Sequence, residues 1–459
     1  MSEECYDVLI VGAGISGLTA AYEISKSGPH LKVVVLEALQ RVGGRTFSLP
    51  LKTEDGQIER VDVGATAFGN TQTELIQLLK ELDIKTQPLY QTGHHIGQQT
   101  PEKATEKFKD YFSMSFKGGL DSLNLIRKIQ SLSERVDPEK PFANSNAKQW
   151  NSMSLQDWLD KEGYTKEGRD SIGDAFLAVL ATPPNQLGLL YTGLVLHSAG
   201  GNFETLLDAQ ANRVEAGFQS VCEALNSKLV EGSVHLGSVV TKVLGRQDTV
   251  TVETAAGEQY QAKKVIMAIP PSQVLTVSFD PPLSEEKVQL FTGLISTEGT
   301  LTLAATYRRP FWREVELSGT VSACAVELEG EKLPMIQTID ASPPSGAGIL
   351  TGFVTDLAPT LSLEEKKNLC LKQLARFLPL EVKEPLDFVL HNWKEEPYST
   401  GGCEAAGPDL LNPNYPDLIR APMGAIHWAG TETATSWICY VQGAVEAGKR
   451  AANEVLVAF

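Results

Sequence analysis

The sequence predicts an α/β chain that passes through two sheets, and three observations carry that prediction. An apolar run from Asp7 to Val11 opens onto the spaced glycines Gly12, Gly14 and Gly17, and a second apolar run is closed by Glu37. A third run, Val265 to Ile269, ends in Pro270-Pro271, as a strand returning to the same sheet does. Residues 299–307, 318–328, 334–340 and 348–354 alternate between apolar and polar and read as a second, antiparallel sheet.

The first stretch reads as strand, glycine turn, helix, strand and acidic stop. Gly12 permits the tight turn, Gly14 lets backbone N–H groups approach a diphosphate, and Gly17 lets the helix pack closely. The positive end of the helix then faces the anion. Glu37 stands where a carboxylate accepts the hydroxyl hydrogens of a ribose. Gly12, Ala13, Gly14, Ile15, Ser16, Gly17 and Glu37 are therefore candidate dinucleotide-binding residues. Spaced glycines alone serve in any tight turn; here the strand, helix and acid fall in order around them.

The remaining elements follow in sequence. Leu75, Ile76, Leu78, Leu79 and Leu82 form one stripe of a helix over Thr71 to Leu82. Residues 86–150 are polar and lack a clear period, which reads as loops and short helices. Ser154 is placed to cap a helix from Leu155 to Lys161. Residues 234–245, 249–254 and 259–269 alternate like strands of a small sheet, and a helix over 363–377 precedes a strand over 386–393. No repeat or low-complexity linker is present.

Composition fits a large enzyme. With 459 residues, 42% of them hydrophobic, the chain can bury a substantial core and is expected to form two domains. A net charge of −17 argues against a nucleic-acid surface. The six cysteines (5, 222, 324, 370, 403 and 439) show neither CxxC nor zinc spacing, which predicts reduced thiols in a cytoplasmic setting. The N-terminus runs straight into the first strand, and no apolar run reaches transmembrane length, so a soluble chain without a signal peptide or membrane span is expected. No metal ligand set is visible, and His197, His391 and Ser436 read as packed or surface polar residues rather than triad members.

Four ordered motifs carry a resemblance to the flavin amine oxidase family, nearest to animal monoamine oxidases. Glu37-Ala38-Leu39-Gln40-Arg41-Val42-Gly43-Gly44-Arg45-Thr46 resembles the family's E-A-x-x-R-x-G-G-R segment, and Val61 to Gly69 its next flavin-side loop. Trp393 to Glu404 resembles the segment around the flavin-linking cysteine. His427 to Thr435, with Glu432 in it, precedes Trp437, Tyr440 and Gly443 to Gly448 and is similar to the C-terminal flavin motif. The resemblance implies an α/β fold, a Rossmann-like FAD-binding domain with an interleaved substrate domain built on a mixed or antiparallel sheet. The expected divisions are 1–72, 211–275 and 391–459 for FAD, and 73–210 and 276–390 for substrate. Mitochondrial monoamine oxidases continue into a C-terminal membrane helix, whereas this sequence stops at Phe459.

The chemistry implied is oxidation of an amine C–N bond by hydride transfer to flavin N5; a flavin dehydrogenase or desaturase acting on another substrate, and a non-catalytic FAD-binding module, are the alternative readings. The imine then hydrolyses, and oxygen or another acceptor takes the electrons. The flavin carries that redox work, and the protein orients and shields it. Gly44, Arg45, Thr46, Val240, Trp393, Tyr398, Cys403 and Glu432 join the glycine-motif residues as cofactor contacts. Tyr440 matches one wall of the family's aromatic cage, and Gln210 a glutamine near the substrate. Alternative readings stay open: Tyr440 as helix core, and Gln210 out of register because the intervening segment is shorter.

Two departures from the family stand out. Aligned on Pro310-Phe311-Trp312, the family's flavin-facing lysine falls on Thr302, and no lysine lies between Val288 and Glu331. In the family that lysine is linked to fast reaction with oxygen; threonine lacks its charge and reach. The second is an extra residue between Tyr398 and Cys403. Counted without a gap, Gly402 takes the flavin-linking position and Cys403 the second cage position. With a gap, Cys403 becomes the thioether linker and Glu404 replaces the cage tyrosine, close to the amine. Either way the second aromatic wall is lost. Non-covalent FAD is the favoured expectation, with a Cys403 thioether as the alternative. Oligomeric state is left open, a homodimer included.

Overall fold

In the computed structural model, residues 5–109, 114–246, 249–296, 301–355, 357–399 and 401–459 are described. The strand Cys5–Val11 lies at the centre of an eight-stranded sheet, with Val8, Leu9 and Ile10 wholly buried. Val33–Leu36 and Gln259–Met267 pair with it in parallel on either side. Val234–His235 and Ile426–Trp428 extend the parallel part, and the hairpin Val240–Gly245/Val250–Thr254 adds to the other half of Gln259–Met267. A run buried on both faces needs apolar residues at every position, which is why these strands read as continuous rather than alternating. Helices Ile15–Ser27 and Val441–Leu456 pack together on this sheet. Their contact is close because Gly448 lies against the Ser16 carbonyl, where a side chain would collide.

The second sheet has seven strands in the order Asp387–Asn392, Leu301–Tyr307, Gly348–Thr355, Met335–Asp340, Leu317–Ala323, His94–Gln98, Glu106–Phe108. All neighbours are antiparallel except Leu317–Ala323 with His94–Gln98, so the sheet is mixed, as expected. Residues 299 and 300, assigned to the first of its predicted strands, lie outside the described residues. The predicted strand 318–328 is broken. Its second part, Val326–Leu328, turns through Glu329 and Gly330 and pairs with Glu331–Leu333 as a separate hairpin.

Ser154 caps Leu155–Glu162 in a full capping box with Asp157, as expected. Residues 86–150 are not only loops and short helices. They hold an 18-residue helix, Phe116–Ser133, started by the Ser115 cap. Its buried side carries Leu125, Ile129 and Leu132, but Gly118 and Gly119 thin the stripe and exposed Leu120 and Leu123 blur it. Lys166–Leu180 and Leu189–Ser198 complete a helical layer.

Candidate active site

A cavity of about 440 Å³ runs from the glycine turn of the first sheet to one face of the second. At one end Gly12, with φ +100°, holds the turn, and a side chain there would stand 2.7 Å from the Ala268 carbonyl oxygen. Gly14 differs. A Cβ on it meets nothing nearer than the Gly43 carbonyl oxygen at 3.9 Å, so a side chain would point into open space. The helix starts at Ile15 without a side-chain cap, so the positive end of its backbone dipole opens onto the cavity, where Gly14, Ile15 and Ser16 form the wall. Ala13 and Gly17 stand behind that wall. Ala13 N–H donates to Glu37 Oε2 at 2.6 Å, and Gly17 packs under the Gly12 carbonyl.

Glu37 is buried and lines the cavity. Its Oε1 accepts from Leu39 N–H at 2.9 Å, so each oxygen is fixed by one backbone donor and keeps a lone pair for a hydroxyl. Burial raises its pKa, against the pull of those same donors. Ser16 Oγ accepts from Gly430 N–H at 2.9 Å, joining the glycine turn to the C-terminal motif. These groups fit a dinucleotide: a helix N-terminus and a space that a side chain at Gly14 would fill for the diphosphate, and an oriented carboxylate for the ribose.

Arg45 is the one cation among the described lining residues. It donates to both oxygens of buried Glu432, at 2.5 and 3.1 Å, and to the Gly402 carbonyl at 2.9 Å. Burial works against its charge, but Glu432 and Glu404 outweigh that and raise its pKa. Thr46 Oγ donates to the Gly43 carbonyl, closing the turn below Gly44. Val240, Trp393, Tyr398 and Cys403 also line the cavity. Trp393 is held by its Nε1–H on the Val63 carbonyl at 2.8 Å, and Tyr398 adopts φ +63° at the rim.

At the far end the structure brings Tyr440, Thr302 and Gln210 into the same cavity. Tyr440 begins the last helix, its carbonyl held by Thr431 Oγ at 2.7 Å and its ring edge-on to Trp437. Its hydroxyl is shielded and has no hydrogen-bond partner among the described residues, and burial raises its pKa. Thr302 pairs in register with Phe353, which pairs with Gln337, so three side chains of the second sheet face the cavity in one row. Gln210 comes from the turn Asp208–Gln210. His197 and His391 lie elsewhere, on the Ser133 carbonyl and beside Trp393 and Glu396.

Two expectations are corrected. The cysteines are not all reduced thiols, because a disulfide joins Cys403 to Cys439. Scattered spacing cannot reveal a bridge between a loop and a distant turn that only the fold brings together. Nor does Glu404, which the gapped count put close to the amine, line the cavity. It is 2% exposed and turns from the cavity to accept from Ser272 N–H, with burial and then Glu432 pushing its pKa up to about 7. Sequence reasoning also missed Gln337, Phe353 and the helix segment Leu177 to Ala181 as lining residues. The one signal for Gln337 was a polar residue within an alternating strand.

Comparison with known proteins agrees with this geometry. Residues 15–456 match the family described as flavin containing amine oxidoreductase. Human amine oxidase [flavin-containing] B is 32% identical over 99% of this chain and 87% of its own length. A putative flavin-containing monoamine oxidase of Mycobacterium tuberculosis is 33% identical over 98% and 96%. A solved putrescine oxidase bound to putrescine superposes with a TM-score of 0.88 at 30% identity, covering 99% of both chains. Fold and cavity define an FAD-dependent oxidoreductase with an interleaved second sheet. The chain belongs to the flavin containing amine oxidoreductase family and uses FAD to oxidise amines. No helix among the described residues is long and apolar enough to cross a membrane.

Proposed function

We propose that this chain oxidises monoamines with an apolar tail, using FAD held without a covalent bond. One observation carries the substrate class. Among the described lining residues Glu37 is the only carboxylate, and it belongs to the ribose end. The far end offers Tyr440, Thr302, Gln210 and Gln337 among apolar groups such as Leu177 and Phe353. A second ammonium, as on a diamine, finds no counter-charge there and would lose its water without compensation.

The glycine turn, Glu37 and Arg45, backed by Glu432, hold FAD, with segments 1–72, 211–275 and 391–459 forming its domain. Segments 73–210 and 276–390 supply the amine end. When bound, FAD supplies the redox chemistry, accepting a hydride equivalent at N5 from the carbon next to a neutral amine, whose imine then hydrolyses. Tyr440 flanks the amine on one side, and Gln210 offers it a hydrogen bond. With no carboxylate to hold the cationic form, the amine enters deprotonated. Oxygen or another acceptor completes the cycle.

Anaerobic titration tests this reading. Long-chain alkyl monoamines should bleach the flavin, faster as pH rises toward the amine's own pKa, whereas small arylalkylamines such as phenylethylamine should be poor because Tyr440 supplies one cage wall without the second. A terminal diamine of equal length should bleach it at least about tenfold more slowly, since an unpaired ammonium in that end costs more than about 1.4 kcal/mol. Equal or better bleaching by the diamine would refute the assignment.

A further inference from the structure

The wall that carries Tyr440 holds a second reactive group, which amine oxidation does not use. Both partners of the Cys403–Cys439 disulfide line the cavity, and Cys439 immediately precedes Tyr440. Cys439 has φ +76°, a conformation in which glycine is the favoured residue. The two sulfurs are also unequal. Behind Cys439, the hydroxyl of buried Tyr191 lies 3.3 Å from Sγ and 3.4 Å from the Glu404 carbonyl oxygen. Burial, with Tyr415, Glu432 and Glu404 nearby, raises the Tyr191 pKa well above its usual value, so this hydroxyl keeps its proton and remains a donor. Cys403 and Cys439 are both half-buried, but no hydroxyl stands beside the Cys403 sulfur among the described residues; it lies 3.7 Å from the Glu404 carbonyl oxygen. Other cysteines offer no such setting: Cys222 and Cys370 are buried, with pKa values pushed up to about 12 by burial.

We infer that Cys403–Cys439 is a thiol-exchange site inside the amine cavity, and that it takes a small aliphatic thiol. The thiolate of the entering molecule attacks Cys403 Sγ. A new S–S bond forms there as the Cys403–Cys439 bond breaks, and Cys439 leaves as a thiolate that accepts the Tyr191 O–H hydrogen bond and then a proton from water. A good leaving thiolate is a stabilised one, which selects Cys439 for that role. A second small thiolate attacks the outer sulfur and releases Cys403. The net change is two small thiols oxidised to their disulfide and one protein disulfide reduced to two thiols. Between these steps the mixed disulfide stands on the cavity wall next to the turn that carries Tyr440, so a small thiol narrows the cavity reversibly.

The test uses native holoenzyme treated with 2-mercaptoethanol, trapped with N-ethylmaleimide and mapped by peptide mass spectrometry. The expected result is a mercaptoethanol adduct on Cys403 with maleimide on Cys439. Tyr191→Phe should slow opening about tenfold and move the pH profile of Cys439 alkylation upward, since the thiolate loses its donor. A bridge that opens only after denaturation overturns the inference, as does an adduct on Cys439 or alkylation of both residues before any thiol is added. If Tyr191→Phe does not fold, the adduct position in the unmodified enzyme still decides. Flavin bleaching by amine in the same sample reports separately on the oxidase reading.

Discussion

Gly14 and Thr302 show how single positions divide between fold and chemistry. Gly14 has φ −70° and open space where a Cβ would go, so the fold does not require glycine there. In the proposed reading the diphosphate does. Gly14→Val is therefore expected to yield a folded protein lacking FAD, checked by circular dichroism together with visible absorbance; normal flavin content would sink the assignment of this turn. Thr302 is 2% exposed, yet it faces the cavity in the row with Phe353 and Gln337. Thr302→Lys should speed oxidation of the reduced enzyme by oxygen, read by stopped-flow absorbance. No gain would mean that this position does not govern the oxygen reaction. Arg45 depends on its partner more than on solvent. Glu432→Gln removes the charge beneath the guanidinium and should cost about 1–3 kcal/mol of stability in urea titration, with weaker flavin retention. An unchanged midpoint would show the ion pair to be dispensable.

Elements that hold the site are tied together by buried polar contacts, and Lys287 gives one a pH signature. It lies on helix Glu285–Gly293, 3.7 Å from the centre of the Trp428 ring, and donates to the Leu418 carbonyl at 2.7 Å. Burial pushes its pKa down to about 7. The unfolded chain keeps that proton to about pH 10.4, so between these values it binds more protons than the folded state. Stability should therefore rise with pH across that window, by up to about 1.4 kcal/mol per unit, and Lys287→Met should flatten the rise. A slope unchanged in the variant would assign the effect to another group. Nothing in the sequence around Lys287 announced this, because a lysine becomes buried only when a distant strand closes over it. The same distinction governs the rest. The turn from Gly12 to Gly17, the Ser154 cap and the alternating strands were legible because their causes are local. The Phe116–Ser133 helix was not, since its exposed leucines and paired glycines hide the period. Gln337, Phe353 and the disulfide partner of Cys403 became visible only when strands and loops far apart in sequence met at one cavity.

For the whole molecule, the cavity lies between the two sheets, so a cofactor bound there would link them as well as carry the redox chemistry. Its walls come from the glycine turn, the C-terminal motif and one face of the seven-stranded sheet. FAD binds the folded chain and not the unfolded one, so stability should grow with free FAD, by about 4 kcal/mol at a thousand times its dissociation constant. How the link is fastened follows from Cys403. Its sulfur is bonded to Cys439, and a sulfur with two covalent partners cannot also form a thioether to the flavin. Gly402, the other residue that counting places at the linking position, has no side chain to react. In the proposed reading retention rests on the glycine turn, Glu37 and Arg45, all of which would let go when the chain unfolds. Acid precipitation should therefore leave the flavin in the supernatant, and a thermal melt with added FAD should shift upward with its concentration. Flavin that pellets with the protein, and is released by Cys403→Ala, would establish a thioether instead and would require the Cys403–Cys439 bridge to be absent from the loaded enzyme.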